Sequence, residues 1–478
     1  MTIEAARSSG AVRINIFMIS TSIARRLIGL ALCSLLCAAC QTSRRLAGRS
    51  PEEGLLTDSA LVAAQVGICV YDATAGRFLY RHQDEKYFLP ASNTKLFSLF
   101  AGMKYLGDSL PAFWYMPTDT AFFLLPAGDP TLLHPDFADQ PGIDMLRKAG
   151  KKIYISDYNW QEEAWGAGWS WDDYNDEYMV ERSVLPVYGN IIRWTETNPV
   201  PNRGGEGQHS SPSIYSIPEV SWKVHFLADT SKHIFYVRRK MDENVFALTE
   251  GDQDEVLQTV PFITHGLASA LELLRDTLAA GQQVFAEKGD GPMEKAFAQG
   301  SSALRLLHSR PVDSMFRPMM YHSDNFFAEQ TLLMVSQQLL GKMNDQQIIE
   351  RLLSTDLKGL PQKPRWVDGS GLSRYNLFSP ADFVWLLQAM QEQFGLERLE
   401  RLLPTGGFGK TNPHFKSDSG FIYAKSGSLS DVLNLSGYLI TPRHHLLIFS
   451  LLVNHYFGRE FRVRRAMEAY LHEMRISH

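Results

Sequence analysis

The sequence predicts an α+β protein in which an antiparallel sheet and its helices are interrupted by a β-rich insertion, and three features carry that assignment. Near the end of the chain, FIYAKSGSL, LNLSGYLIT and HLLIFSLLVNHY are apolar runs joined by short turns such as Pro442-Arg443, the pattern of consecutive antiparallel strands. ITHGLASALELLRDTLAAG and MFRPMMYHSDNFFAEQTLLMVSQQLLG have helical texture. From about 105 to 263 neither pattern holds. Aromatics, proline and glycine there separate short strand-like runs (AFFLLPAG, KKIYIS, HIFYVRRK), as expected of a distinct, mostly β body.

With 478 residues, 45% apolar and 21% charged, the chain can form two or three domains and a sizeable core. A formal net charge of −5 gives no electrostatic case for nucleic acid as a partner. Cys33, Cys37 and Cys40 share one N-terminal apolar segment, leaving Cys69 alone in the body. A mature chain starting at Cys40 has only a Cys40–Cys69 pair available for a disulfide and no four-cysteine metal site.

Taken in order, residues 1–40 read as a signal peptide. Arg25-Arg26 form its basic start, and Leu27 to Ala39 form an apolar run too short to span a bilayer. Ala38-Ala39 before Cys40 resemble a bacterial lipobox, with Cys37 where leucine is usual. Cys40 is therefore the expected lipidation site, which implies export to the periplasm and membrane attachment through an N-terminal lipid. A plain secretory signal or an uncleaved anchor are the alternatives, and Met18 is a second candidate start. The arginine pair lacks the flanks of a Tat signal, which favours Sec. Residues 41–53 are a polar, basic tether. VGICVYDATAGRFLYRHQ predicts a β-hairpin turning at Ala75-Gly76. REFRVRRAMEAYLHEMR predicts a final amphipathic helix. The main domain is assigned to 54–104 and 264–478, and the insertion to 105–263.

Chemistry concentrates in three short motifs. In FLPASNTKLFSLFAGMKYLG, Ser92 stands where an extended segment becomes a helix, and helical spacing leans Lys95 back over it. A serine hydroxyl is a weak nucleophile, and an amine can take its proton only when neutral. The lysine must then be held below its free pKa of about 10.4. Ser323-Asp324-Asn325 and Lys425-Ser426-Gly427 follow in order. Taken singly, Ser92 is as readily a helix cap, Asn325 a surface residue and Lys425 an edge charge. Together they supply an acyl-transfer set: Ser92 attacks, Lys95 takes its proton, and Ser323 relays a proton to the departing amine. Asn325 holds Lys95 and the substrate backbone. Lys425 offers a fixed charge to a substrate carboxylate and polarises Ser323, while Ser426 presents a hydroxyl. Backbone N–H groups of Ser92 and Ser428 are the expected oxyanion donors, one such donor being worth ~3 kcal/mol of barrier.

The ordered set Ser-x-x-Lys, Ser-Asp-Asn and Lys-Ser-Gly resembles the signature of penicillin-binding proteins and class A β-lactamases, with serine for threonine in the third motif. DGSGLSRYNLFSP (368–380), SDNFFAEQTLL (323–333), KSGSLSDVLNLSGYL (425–439) and GDPTL (128–132) narrow the resemblance. They point to the class C low-molecular-mass penicillin-binding proteins, D-alanyl-D-alanine carboxypeptidase/endopeptidases of the DacB kind. The wide separation of Ser92 from Ser323 suits that family, which inserts domains between the first two motifs, and not the class A β-lactamases. The resemblance implies a penicillin-binding-protein/β-lactamase-like transpeptidase domain, an antiparallel sheet flanked by helices with the active site at the sheet edge. It also implies peptidoglycan stem peptides as substrate and β-lactam antibiotics as covalent inhibitors; no cofactor is expected, nor, from the histidines below, a catalytic metal. WDDYNDEY (171–178) is similar to a segment whose aspartate meets the free amine of a diaminopimelate side chain. That makes Asp173 the candidate, Tyr178 its aromatic neighbour and Asp172 the alternative by one residue. Arg374, in GLSRYN, resembles an arginine beside the substrate's distal carboxylate. With Ser426, Gly427 and Ser428, these are the expected substrate-binding residues.

Two stretches mislead. PTGGFGKT (404–411) nearly spells a phosphate-binding loop, but Pro404 replaces the first glycine and a helix-like LERLERLL precedes it, so it reads as a rim loop. His444-His445 has no H-E-x-x-H context. A β-lactamase-like or D-amino-acid amidase/esterase is the competing enzyme reading, and a non-catalytic cell-wall binding protein the competing non-enzyme one.

Overall fold

The nucleophile motif lies against a five-stranded antiparallel sheet built from both ends of the chain. The computed structural model describes residues 50–197, 213–227, 233–278, 281–287, 289–408 and 414–478. Leu55–His478 form one unit by internal contacts and Met1–Gly54 another. Cys40 and its leader lie outside the described residues.

In chain order, β1 (Gln65–Asp72) and β2 (Arg77–His82) form the expected hairpin. Asp72 Oδ1 accepts from the backbone N–H groups of Thr74 and Ala75, and Gly76 takes the left-handed φ of +69° that closes the turn. Helix α1 (Lys95–Tyr105) follows Ser92. The insertion starts with β3 (Ser109–Pro117), β4 (Ala121–Pro126), α2 (Pro141–Ala149) and β5 (Lys152–Ile155). It continues through β6 (Ile191–Thr197), β7 (Ser213–Ile217), β8 (Val224–Phe226), β9 (Tyr236–Arg239), β10 (Phe246–Thr249) and β11 (Glu255–Pro261). Next come α3 (Ala268–Thr277), β12 (Val284–Ala286), α4 (Pro292–Ala298) and β13 (Arg305–Pro311). Helices α5 (Asp313–Tyr321), α6 (Asn325–Leu340), α7 (Asp345–Ser354), α8 (Pro380–Phe394) and α9 (Leu396–Leu402) return to the first body. The chain closes with β14 (Ile422–Leu429), β15 (Val432–Ile440), β16 (Leu446–Asn454) and α10 (Glu460–Ser477).

The main sheet has the order β14-β15-β16-β1-β2, with every neighbouring pair antiparallel. Because side chains alternate across a strand, β16 sends Leu447, Phe449, Leu451 and Val453 to one face and Ile448 and Leu452 to the other. The first set packs on Val463, Met467 and Tyr470 of α10, and the second joins the core of Phe97, Phe316 and Phe383. Covered on both faces, these strands read as continuous apolar runs, which is why they were legible.

Among the described residues, the insertion holds three sheets, ordered β12-β5-β4-β3-β13, β11-β6-β7 and β8-β10-β9, packed around a second hydrophobic cluster. The sequence assigned α3 to the main domain. Its Leu271, Leu273 and Leu274 pack with Ile153, Val237 and Phe246, in a cluster that also takes in Leu333 and Met343. An amphipathic pattern shows that a helix has an apolar face, not which sheet receives it.

Candidate active site

Ser92 occupies a 3-10 turn, Ala91–Thr94, directly ahead of α1. Two glycines let the backbone close around that turn. A Cβ at Gly427 of β14 would lie 2.7 Å from Pro90 O and 2.9 Å from the nitrogens of both Ser92 and Asn93. A Cβ at Gly371 would fall on Ala91 O, at 1.9 Å. Only hydrogen fits at either place. Asn93 is fully buried and donates from Nδ2 to Ser436 Oγ at 2.7 Å, which ties the turn to β15 opposite Lys425.

Lys95 is fully buried, with Nζ 3.0 Å from Ser92 Oγ, 2.6 Å from Asn325 Oδ1 and 2.8 Å from the Ser370 carbonyl oxygen. Amide and carbonyl oxygens can only accept, so the contacts to Asn325 and Ser370 are donations from Nζ. A neutral amine bound this way turns its lone pair toward the Ser92 hydroxyl, the orientation that proton abstraction needs. Asn325 opens α6 and also donates from Nδ2 to Tyr178 O at 2.9 Å. Asp324 caps the same helix by accepting from Phe327 N, and burial raises its pKa. Ser323 has a φ of +59°, costly for a residue with a side chain, and this conformation accompanies its 2.9 Å contact to Lys425 Nζ.

The chemical groups open into a cleft of ≈ 580 Å³ lined by Ser92, Ser323, Asn325, Ser426 and Ser428, by Asp172, Asp173 and Tyr178 of the insertion, and by Arg374. Lys95, Lys425 and Gly427 lie behind that lining. Lys425 was expected to present its charge to a substrate carboxylate. It is 1% exposed and donates to Ser323 Oγ and to Ser426 O at 2.6 Å, so its direct contact is with the serine. Asp173 has a raised pKa. Burial is the main cause and the charges of Asp172 and Asp176 add to it, while Tyr178 and Arg374 oppose it. Tyr178 donates to Asp176 Oδ2 at 3.0 Å, and Ser170 to Asp172 Oδ1 at 2.7 Å.

Sequence reasoning did not single out Ser370, Gly371 or Arg464. The first two stand inside DGSGLSRYN, whose glycines and serines were the available signal. Arg464 reaches the cleft from α10, and nothing local to it announces that. Of the rim-loop stretch, Thr405 bridges to Tyr423 of β14, and Lys410 and Thr411 lie outside the described residues.

An antiparallel sheet between helices, with a serine–lysine pair beside its edge strand, is the penicillin-binding-protein/β-lactamase-like transpeptidase fold, here carrying an insertion. The sequence matches the D-Ala-D-Ala carboxypeptidase 3 (S13) family over residues 53–474, and the chain belongs to that family as a serine-type, class C low-molecular-mass penicillin-binding protein. It is similar to a D-alanyl-D-alanine carboxypeptidase of Actinomadura sp. (strain R39), at 25% identity over 443 residues, 86% of this chain and 81% of that protein. Its fold is similar to penicillin binding protein 4 (dacB) from Haemophilus influenzae, with a TM-score of 0.66 at 18% identity over 88% of this chain and 97% of the other. The same Haemophilus protein complexed with a novel β-lactam gives a TM-score of 0.63 at 18% identity, over 87% and 96% of the two chains.

Proposed function

We propose that this carboxypeptidase works through an acyl-enzyme at Ser92, cleaves both terminal D-alanine and D-alanyl cross-links of peptidoglycan, and is inhibited covalently by β-lactams. The observation that carries the reading is the buried Lys95, set 3.0 Å from Ser92 Oγ and oriented by Asn325 and Ser370. Ser92 Oγ adds to the penultimate D-alanine carbonyl carbon as its proton passes to Lys95 Nζ. The oxyanion rests on the N–H groups of Ser92 and Ser428. The C–N bond then breaks, and the leaving amine takes a proton through Ser323, which Lys425 keeps oriented. Water hydrolyses the ester by the reverse proton path and restores Ser92. A β-lactam follows the first half of this course and stays attached. β14 is the edge strand, and past Tyr423 and Ala424, which pair with Thr405 and Pro404, its outer side can take an extended stem peptide. Asp173 and Arg374 read the peptide's side-chain amine and distal carboxylate. Export to the periplasm and lipidation at Cys40 complete the reading, and both rest on the N-terminal sequence.

Labelling with a fluorescent penicillin tests the acylation. The wild type should form a stable covalent adduct, and Ser92→Ala should form none while keeping its melting temperature. An adduct on the alanine variant would place the nucleophile elsewhere.

A further inference from the structure

Behind the base lies a buried charged cluster that the acyl-transfer scheme does not use. Arg182, from the insertion, has its side chain 2% exposed. Its guanidinium reaches Glu162 Oε1 at 3.2 Å, Asp345 Oδ2 at 2.5 Å and Glu329 Oε2 at 3.6 Å. The Trp169 ring lies 5.6 Å from the same guanidinium. Glu329 is 1% exposed on α6, one helical turn beyond Asn325 and so on the same side of the helix. Its Oε1 accepts from Ser370 N at 2.7 Å, and the carbonyl of that same Ser370 accepts from Lys95 Nζ at 2.8 Å.

We infer that Glu329 is a positioning residue of the catalytic base: by holding the Ser370 N–H it anchors, beside Asp368 on Gly371 N, the residue whose carbonyl aims Lys95 Nζ at Ser92. This rests on the acylation reading given above. The segment between α7 and α8 is irregular, and its other peptide groups are tied elsewhere: Ser98 Oγ donates to Gly369 O at 2.6 Å and Gly371 N donates to Asp368 Oδ1 at 2.9 Å. Asp368, two residues earlier, is already saturated. Its oxygens accept from Gly371 N, Ser373 N, Asn376 Nδ2 and Trp169 Nε1. Glu329 is thus the side chain left to orient the Ser370 N–H. The groups facing it are Arg182, Glu162, Asp345 and Asp368, with Lys95 beyond Ser370. Three carboxyls crowd one guanidinium there, and burial, aided by Asp368, pushes Glu329 up to about 8. Above that pH, Glu329 adds a negative charge behind Lys95. That charge favours the ammonium and works against proton abstraction.

The test measures acylation by a fluorescent penicillin from pH 6 to 9.5 in the wild type, Glu329→Leu and Glu329→Gln. Glu329→Leu removes the acceptor for Ser370 N and should slow acylation about 100-fold at pH 7. Glu329→Gln keeps that acceptor without the titration. Its rate at pH 7 should stay within a few-fold of wild type, and the wild-type inflection near pH 8 should vanish from its profile. A folded Glu329→Leu acylating at the wild-type rate overturns the inference. Should Glu329→Leu not fold, Glu329→Gln decides: loss of the inflection supports the inference, and a profile identical to wild type overturns it. A wild type that takes no penicillin overturns the acylation reading itself, and this inference with it.

Discussion

The two walls of the cleft are built on different physical terms. On the floor, Lys95 and Lys425 are 0% and 1% exposed, and each Nζ is held by oxygens, of Asn325 and Ser370 for Lys95 and of Ser323 and Ser426 for Lys425. On the inserted wall, Tyr178 is 42% exposed, and the side-chain bonds of Asp172 and Tyr178 to Ser170 and Asp176 stay within the same short turn. Groups that transfer protons must be in place before substrate arrives, because a misplaced base loses rate steeply. Groups that recognise a flexible peptide can stay in water and close their contacts on binding. The contrast teaches where rigidity has been concentrated: in the strand, turn and helix start that meet at Ser92.

The floor is the place to break this arrangement. Gly427→Ala puts a methyl where Ser92 N and Asn93 N already stand, so β14 and the nucleophile turn must part. Acylation should fall by about 100-fold or more, measured with a penicillin, while circular dichroism stays native. An unchanged rate would show that the floor is softer than its contacts indicate. Lys425→Ala leaves Ser323 without its buried donor. The loss should be about 1.5–3 kcal/mol in kcat/KM for a peptide ending in D-Ala-D-Ala, the worth of a charge-assisted bond. Because Lys425 meets Ser323 directly, penicillin acylation should fall as well. A variant with normal kinetics toward both would remove Lys425 from the proton path.

The smallest effect belongs to the inserted wall. Asp173→Asn should cost ~1–3 kcal/mol in kcat/KM for peptides with a free side-chain amine and spare penicillin acylation. The raised pKa of Asp173 adds a pH signature. An aspartate must be ionised to hold an ammonium, so in the wild type this preference should fade, as pH falls, earlier than an ordinary carboxyl would dictate. Equal losses on both substrates would mean that the two walls are coupled and the comparison fails.

How much of this was legible beforehand follows the range of the interactions. Ser92 and Lys95 are one helical turn apart, and β15 and β16 announce themselves by uninterrupted apolar runs, so local pattern sufficed. The three motifs were found because each is short and their order is informative. The Glu329–Ser370–Lys95 chain was not, because its members stand on three separated segments and share no spacing. The left-handed backbone at Ser323 has no glycine to signal it. Which cluster α3 joins was not legible either, because its apolar face fits either core by composition alone.

The sheet's strand order has a consequence for the timing of activity. β1 pairs with β16, and the turn bearing Ser92 is pressed by β14 and tethered to β15, so the earliest strands wait for the last. A ribosome that has delivered Ser92, Lys95 and even Asn325 has delivered an inert set, because the surface that shapes the nucleophile turn is still unsynthesised. Contacts between the two extremes of a long chain also form slowly. A D-Ala-D-Ala carboxypeptidase with this strand order has no shaped nucleophile turn until its final strands are in place.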